Sequence, residues 1–174
     1  IYDLAGIFWE KFVEELEHAF PGQPPPAPFL SFGSWVGTDR DGNPAVTPAT
    51  SLEAAEQLRR SILGYYRQAC ERLLNVVSFP CQDAALQKRL RRDLQRDMRR
   101  FPGTRVFQQV DQPHELYRRK LRVIMWRLER TAERTVGAYA GPEEFARDVK
   151  LLEDLLIAHP SPRVARLGPG RLRV

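Results

Sequence analysis

The stretch Phe29–Thr47, "FLSFGSWVGTDRDGNPAVT", stands apart from a chain otherwise written in helical code, and its reading decides the fold. Its first part alternates: Phe29, Ser31, Gly33 and Trp35 on one side, Leu30, Phe32 and Ser34 on the other, which predicts a short strand with apolar groups on both faces. A lone buried strand leaves its backbone groups unpaired. Either the segment is not a strand, or its partners lie outside this chain. The second part, Asp39-Arg40-Asp41-Gly42-Asn43-Pro44, reads as a tight turn in which aspartate oxygens satisfy local N–H groups. Its alternating oxygens also suggest a calcium loop, but glycine comes too early and Ser51 or Leu52 stands where the closing glutamate is needed.

Helices surround this segment. Phe8, Phe12, Leu16, Ala19 and Phe20 recur at helical spacing before Pro21-Gly22, and "PGQPPPAPF" cannot continue the helix, so it is an extended connector. Thr47-Pro48 predicts a capped start for a long helix. Ala55, Leu58, Ile62, Tyr65, Ala69, Leu73 and Val76 form its expected buried stripe, which reaches the break at Ser78-Phe79-Pro80. A third helix over Asp83–Arg100 aligns Leu86, Leu90, Leu94 and Met98. A fourth starts at Pro113, turns Tyr117, Leu121, Ile124, Leu128 and Ala132 inward and extends toward Gly137. The fifth starts at Gly141-Pro142, with Glu143 and Glu144 favouring its dipole, buries Phe145, Val149, Leu152 and Leu156, and ends near His159-Pro160.

The fold class expected is therefore mainly α, a bundle-like arrangement with one short strand. It is read as one domain: 1–28 helix and proline-rich connector, 29–47 strand and loop, 48–158 helical region, 159–174 tail. With 174 residues, 43% hydrophobic and 28% charged, the chain is long enough to bury a core. No apolar run suits a membrane span or signal peptide. Cys70 and Cys81 do not form a close ligand pair, and His18, His114 and His159 are scattered, which argues against zinc and for a reduced, cytoplasmic setting.

The net charge of +5 is concentrated in "QKRLRRDLQRDMRR", with Lys88, Arg89, Arg91, Arg92, Arg96, Arg99 and Arg100. Such a face could follow phosphates, but Asp93 and Asp97 can pair with neighbouring arginines and no aromatic stacking set accompanies the run. A solvated face, or contact with another part of a larger protein, outweighs nucleic-acid binding. A stand-alone module that uses residues 88–100 to hold a protein or nucleic-acid partner is the alternative function.

The segment Ser34–Pro44 resembles the "SWxGGDRDGNP" motif of phosphoenolpyruvate carboxylases of bacterial type. "PFLSFGSWVG" resembles the family's lead-in, "VTPATSLEAAEQLRRSILGYY" its following helix, and "HELYRRKLRVIMWRLERT", His114–Thr131, its "EPYRxxLxxIRxRLxxT" helix. The Asp83–Val110 region corresponds least. The resemblance implies a largely helical (β/α)8-barrel parent in which Phe29–Trp35 is a barrel strand, its loop lies at the strand's C-terminal end, and its partners come from elsewhere in the parent. It implies carboxylation of phosphoenolpyruvate by bicarbonate, giving oxaloacetate and phosphate with Mg²⁺ or Mn²⁺. Trp35 would then line the hydrophobic CO2/bicarbonate pocket, where ordinary core packing is the competing explanation, and Arg40 would face substrate charge. Gly37, Asp39, Asp41, Gly42 and Asn43 would support the loop. Thr38 replaces the family's second glycine, and a threonine tolerates positive φ poorly. The motifs "TAHPTE", "GYSDSxKDxG" and "GRGGxxGRGG", with the metal carboxylates, are not in these residues. The isolated chain is thus expected to bind no metal and to be inactive without the remainder of the parent, and exposed barrel-facing surface could make it self-associate. Tyr117, Arg118 and Arg119 are expected to serve packing and surface contacts.

Overall fold

The structure, a computed structural model, describes residues 2–24, 29, 31, 33, 35–39, 41, 43–77 and 83–157. Among them the protein is mainly α: α1 (Tyr2–Ala19), α2 (Pro48–Val76), α3 (Ala84–Arg100), a 3₁₀ turn (Pro102–Val106), α4 (Phe107–Val110), α5 (Leu116–Glu133) and α6 (Pro142–Ile157). No described residue is in a strand. Phe29, Ser31, Gly33 and Trp35 carry no regular structure, while Leu30, Phe32 and Ser34 lie outside the described residues. The expected strand is thus not formed at the described positions, in keeping with the need of strand N–H and C=O groups for a neighbouring strand.

The chain divides into two compact units, Ile1–Ser61 and Ile62–Val174. In the first, no described side chain is fully buried. Trp9 and Phe12 pack against Phe29, with ring centroids 5.9 and 5.2 Å apart. That contact sets the inward face of α1 on Trp9, Phe12, Val13 and Leu16, and leaves Phe8, Ala19 and Phe20 of the expected stripe exposed.

The core lies in the second unit. On the last turns of α2, Cys70 and Leu74 are buried, followed by Val77, with Leu63, Tyr66 and Leu73 packed beside them. The expected stripe is displaced by about one residue, roughly 100° of helix rotation. Tyr66, rather than Tyr65, meets Phe145 of α6 at 4.9 Å. The expectation of deep packing along the whole helix is corrected for its first half, where Ala55 and Leu58 are exposed. Helix α3 begins where Asp83 accepts the Leu86 N–H at 2.8 Å and contributes Leu90 and Leu94. Helix α5 is the centre, with Leu116, Tyr117, Leu121, Val123, Ile124 and Leu128 buried. It starts three residues after Pro113 and stops well before Gly137, because Arg134 takes a left-handed φ of 57° and its N–H closes on the Arg130 and Thr131 carbonyls. Helix α6 adds Leu151, Leu152, Leu155 and Leu156.

Candidate functional site

The loop that the sequence singles out is held by its own short side chains. Gly37 sits at φ +72°, and the Thr38 N–H reaches back to the Trp35 carbonyl at 3.4 Å. The left-handed turn therefore falls on Gly37, and Thr38 has no positive φ, so the threonine that departs from the family pattern causes no backbone strain. Ser51, in the first turn of α2, donates to the Gly37 carbonyl at 2.7 Å. Asp39 accepts from the Asp41 N–H at 3.2 Å, and Asn43 accepts from the Ala45 N–H at 3.0 Å. These are Asx turns that fold the loop onto itself. Thr47 caps α2 by accepting the Thr50 N–H at 3.2 Å. Arg40 and Gly42 lie outside the described residues.

Trp35 is 80% exposed, as is Val36. Among the described residues, the indole is therefore not packed in a core. A Cβ at Gly37 would stand 2.7 Å from Ala54 Cβ and 3.3 Å from the Thr50 carbonyl oxygen. Gly37→Ala is thus expected to loosen the loop locally: amide exchange at Thr38 and Asp41 should accelerate, while the unfolding midpoint of the second unit stays unchanged. Unaltered exchange at those amides would show that the turn does not depend on glycine.

The second unit holds a buried charge centre that the sequence reading missed. Lys120, with no solvent exposure, places Nζ 2.6 Å from Asp93, 2.7 Å from Asp97 and 2.8 Å from Asp148. Asp97 and Asp148 accept hydrogen bonds from it, whereas Asp93 meets it as an ion pair. Beside it, buried Arg127 pairs with Glu144 at 2.9 Å and Asp148 at 3.5 Å, and lies 3.8 Å over the Tyr139 ring. The Tyr139 hydroxyl donates to Asp148 at 2.8 Å. The expected surface pairing of the α3 aspartates holds for Asp93, which meets Arg96, but both Asp93 and Asp97 face inward. The available signal was their four-residue spacing beside Leu90 and Leu94, opposite a lysine placed between Tyr117 and Leu121. Tyr117 donates to the Leu155 carbonyl, Arg118 reaches Asp111 and the Leu74 carbonyl, and Arg119 bonds the Gln108 and Asp111 carbonyls.

Burial alone would lower the Lys120 pKa, but Asp148, Asp97 and Asp93 outweigh it and the net shift is upward. Burial raises Asp97 despite Lys120, and raises Tyr139 well above the usual phenol. Burial also pushes the Cys70 thiol up to about 12. Burial opposes ionisation of Glu144, yet the Ala140 N–H, Arg127 and Arg100 outweigh it and lower its pKa. Cys70, Tyr139 and Lys120 thus bind protons more tightly folded than unfolded. Their contribution to stability is complete below their unfolded values of 9.0, 10.0 and 10.5 and is lost as the pH rises through the folded ones. The urea midpoint of the second unit is expected to fall from about pH 9 upward, with Cys70 alone accounting for roughly 4 kcal/mol by pH 12. A midpoint that stays level to pH 11 would contradict this.

Among the described residues no group of three His, Cys, Asp or Glu side chains is arranged to hold a metal ion, and the carboxylates of Asp93, Asp97 and Asp148 close on an ammonium. The described residues therefore do not fit a divalent cation. No helix among them is long and apolar enough to cross a membrane.

The family model for phosphoenolpyruvate carboxylase matches residues 3–165. The chain belongs to the phosphoenolpyruvate carboxylase family. Curated relatives of that name include one from Synechococcus sp., 36% identical over 135 residues, covering 77% of this chain and 13% of the relative. Another, from Thermosynechococcus vestitus, is 35% identical with the same coverage, and one from Parasynechococcus marenigrum is 38% identical over 125 residues, covering 71% of this chain and 12% of its own. The chain thus spans about an eighth of the length of these relatives. No solved structure gives a significant match.

Proposed function

We propose that this chain works as a segment of a cytoplasmic phosphoenolpyruvate carboxylase, contributing the loop around Trp35 to the pocket where bicarbonate and CO2 are held. The observation that carries this reading is the exposure of Trp35 within the stretch that the family model matches: an indole 80% open to solvent is free to line a cavity completed by other segments. Exposed Leu4, Phe20, Val36 and Leu52 in the same unit are apolar surface of the kind that the remainder of a larger enzyme covers. The strand expected at Phe29–Trp35 would likewise form only beside barrel strands supplied by that remainder.

In the whole enzyme, a bicarbonate oxygen attacks phosphorus, the bond to the enol oxygen breaks, and carboxyphosphate and enolate form. Carboxyphosphate then yields CO2 and phosphate, and the enolate carbon bonds to CO2 to give oxaloacetate. Mg²⁺ or Mn²⁺ would be held by residues that the rest of the enzyme contributes and would supply Lewis acidity. The part of Trp35 is to exclude water and retain CO2, and that of Arg40 is to face developing negative charge. Gly37, Asp39, Asp41, Gly42 and Asn43 keep the loop in shape and touch no substrate. The isolated chain forms no oxaloacetate.

Trp35→Ala in the complete enzyme is the test. Escape of CO2 should raise phosphate released per oxaloacetate formed by severalfold, whereas a simple folding defect lowers both products together. An unchanged ratio would remove Trp35 from the pocket.

A further inference from the structure

The outer face of α3 gathers arginines that the fold neutralises only in part. Arg92, Arg96 and Arg99 follow one another at four- and three-residue spacing, which places them on one helix face. With Gln95 and Arg100 they line a shallow, open hollow of about 430 Å³ on the helix surface.

Arg96 is held by Asp93, and Arg100 by Glu144 at 2.8 Å. Both carboxylates are already shared with buried bases, Asp93 with Lys120 and Glu144 with Arg127. Arg92 and Arg99 meet no carboxylate within ion-pair distance among the described residues. Four arginines of one helix face thus line a space where two carboxylates, each divided between two bases, cannot balance them. Arg96 and Arg100 are each tied to one carboxylate, and Arg92 and Arg99 are open for a ligand.

We infer that this hollow binds an anion carrying a chain of phosphoryl groups, such as a triphosphate. Phosphoryl oxygens match the many N–H donors of arginine forks better than a single carboxylate does. No aromatic side chain lines the hollow, so recognition is of the phosphoryl chain rather than of a stacked base. The inference does not depend on the carboxylase reading.

The test is calorimetric titration of the chain with sodium tripolyphosphate at low and moderate salt. Binding is expected at low salt and should weaken steeply as salt is added. Arg92→Gln/Arg99→Gln should weaken it at least about tenfold, because each variant removes a charge-assisted donor set. Arg91→Gln/Arg105→Gln removes the same charge away from the hollow and should change it less than about twofold. A nucleoside triphosphate should bind about as tightly as tripolyphosphate. Absence of binding, equal losses in the two double variants, or tighter binding of a single-stranded oligonucleotide than of tripolyphosphate would overturn the assignment.

Discussion

Replacing Lys120 with methionine should cost the second unit about 3–5 kcal/mol, read as a lowered urea midpoint. The substitution keeps an unbranched side chain of similar length but removes the ammonium that Asp93, Asp97 and Asp148 face at 2.6–2.8 Å. Three carboxylates then crowd one buried space with Arg127 as the remaining base in contact with Asp148. The sign of the pH response separates this from a packing defect. Buried carboxylates deprived of a counter-ion have raised folded-state pKa values, so the variant should recover stability relative to wild type as the pH falls toward 4. Asp97→Asn should be far milder, because burial already raises that carboxyl and neutralising it relieves repulsion from Asp93 and Asp148. A Lys120→Met protein as stable as wild type at neutral pH would show that the charge centre is dispensable.

Gly137→Ala should be nearly as damaging, at about 2–5 kcal/mol from the sum of left-handed strain and overpacking. The residue sits at φ +102°, and a Cβ there would stand 2.4 Å from two ring atoms of Trp126. The Gly137 carbonyl also accepts from Arg127 at 3.3 Å, so a shift of this turn disturbs the second buried base as well. Trp126→Leu in the same chain should return the overpacking part and leave the strain, giving a double-mutant coupling above about 1 kcal/mol. Strict additivity of the two changes would mean that the ring and the turn do not press on one another.

How much of this could be read in advance differs by element. Three helix starts were legible because their signals are local: Thr47-Pro48 opens α2, Asp83 opens α3, and Pro142 with Glu143 and Glu144 opens α6, whereas α5 starts three residues past Pro113. The inward line of α5, Tyr117, Leu121, Ile124 and Leu128, was legible for the same reason, since one apolar face dominates its composition. The faces of α1 and α2 were not, because each carries aromatics on adjacent positions and only a partner decides which is inward. Phe29 selects Trp9 and Phe12, and Phe145 selects Tyr66 over Tyr65. Lys120 escaped because a buried lysine depends on carboxylates that arrive from α3 and α6, far away along the chain. In the loop, the turn chemistry of Gly37, Asp39 and Asn43 was readable from residue types. The exposure of Trp35 was not, since an indole between Ser34 and Val36 suits a core as well as a pocket wall.

The most direct test of the chain as a carboxylase segment is the mass of the native protein in its source cells, detected with an antibody raised against these residues. The relatives of which it covers about 13% imply a species several times heavier than the chain itself, and that species should co-purify with oxaloacetate-forming activity. A native protein no heavier than this chain would contradict the segment reading.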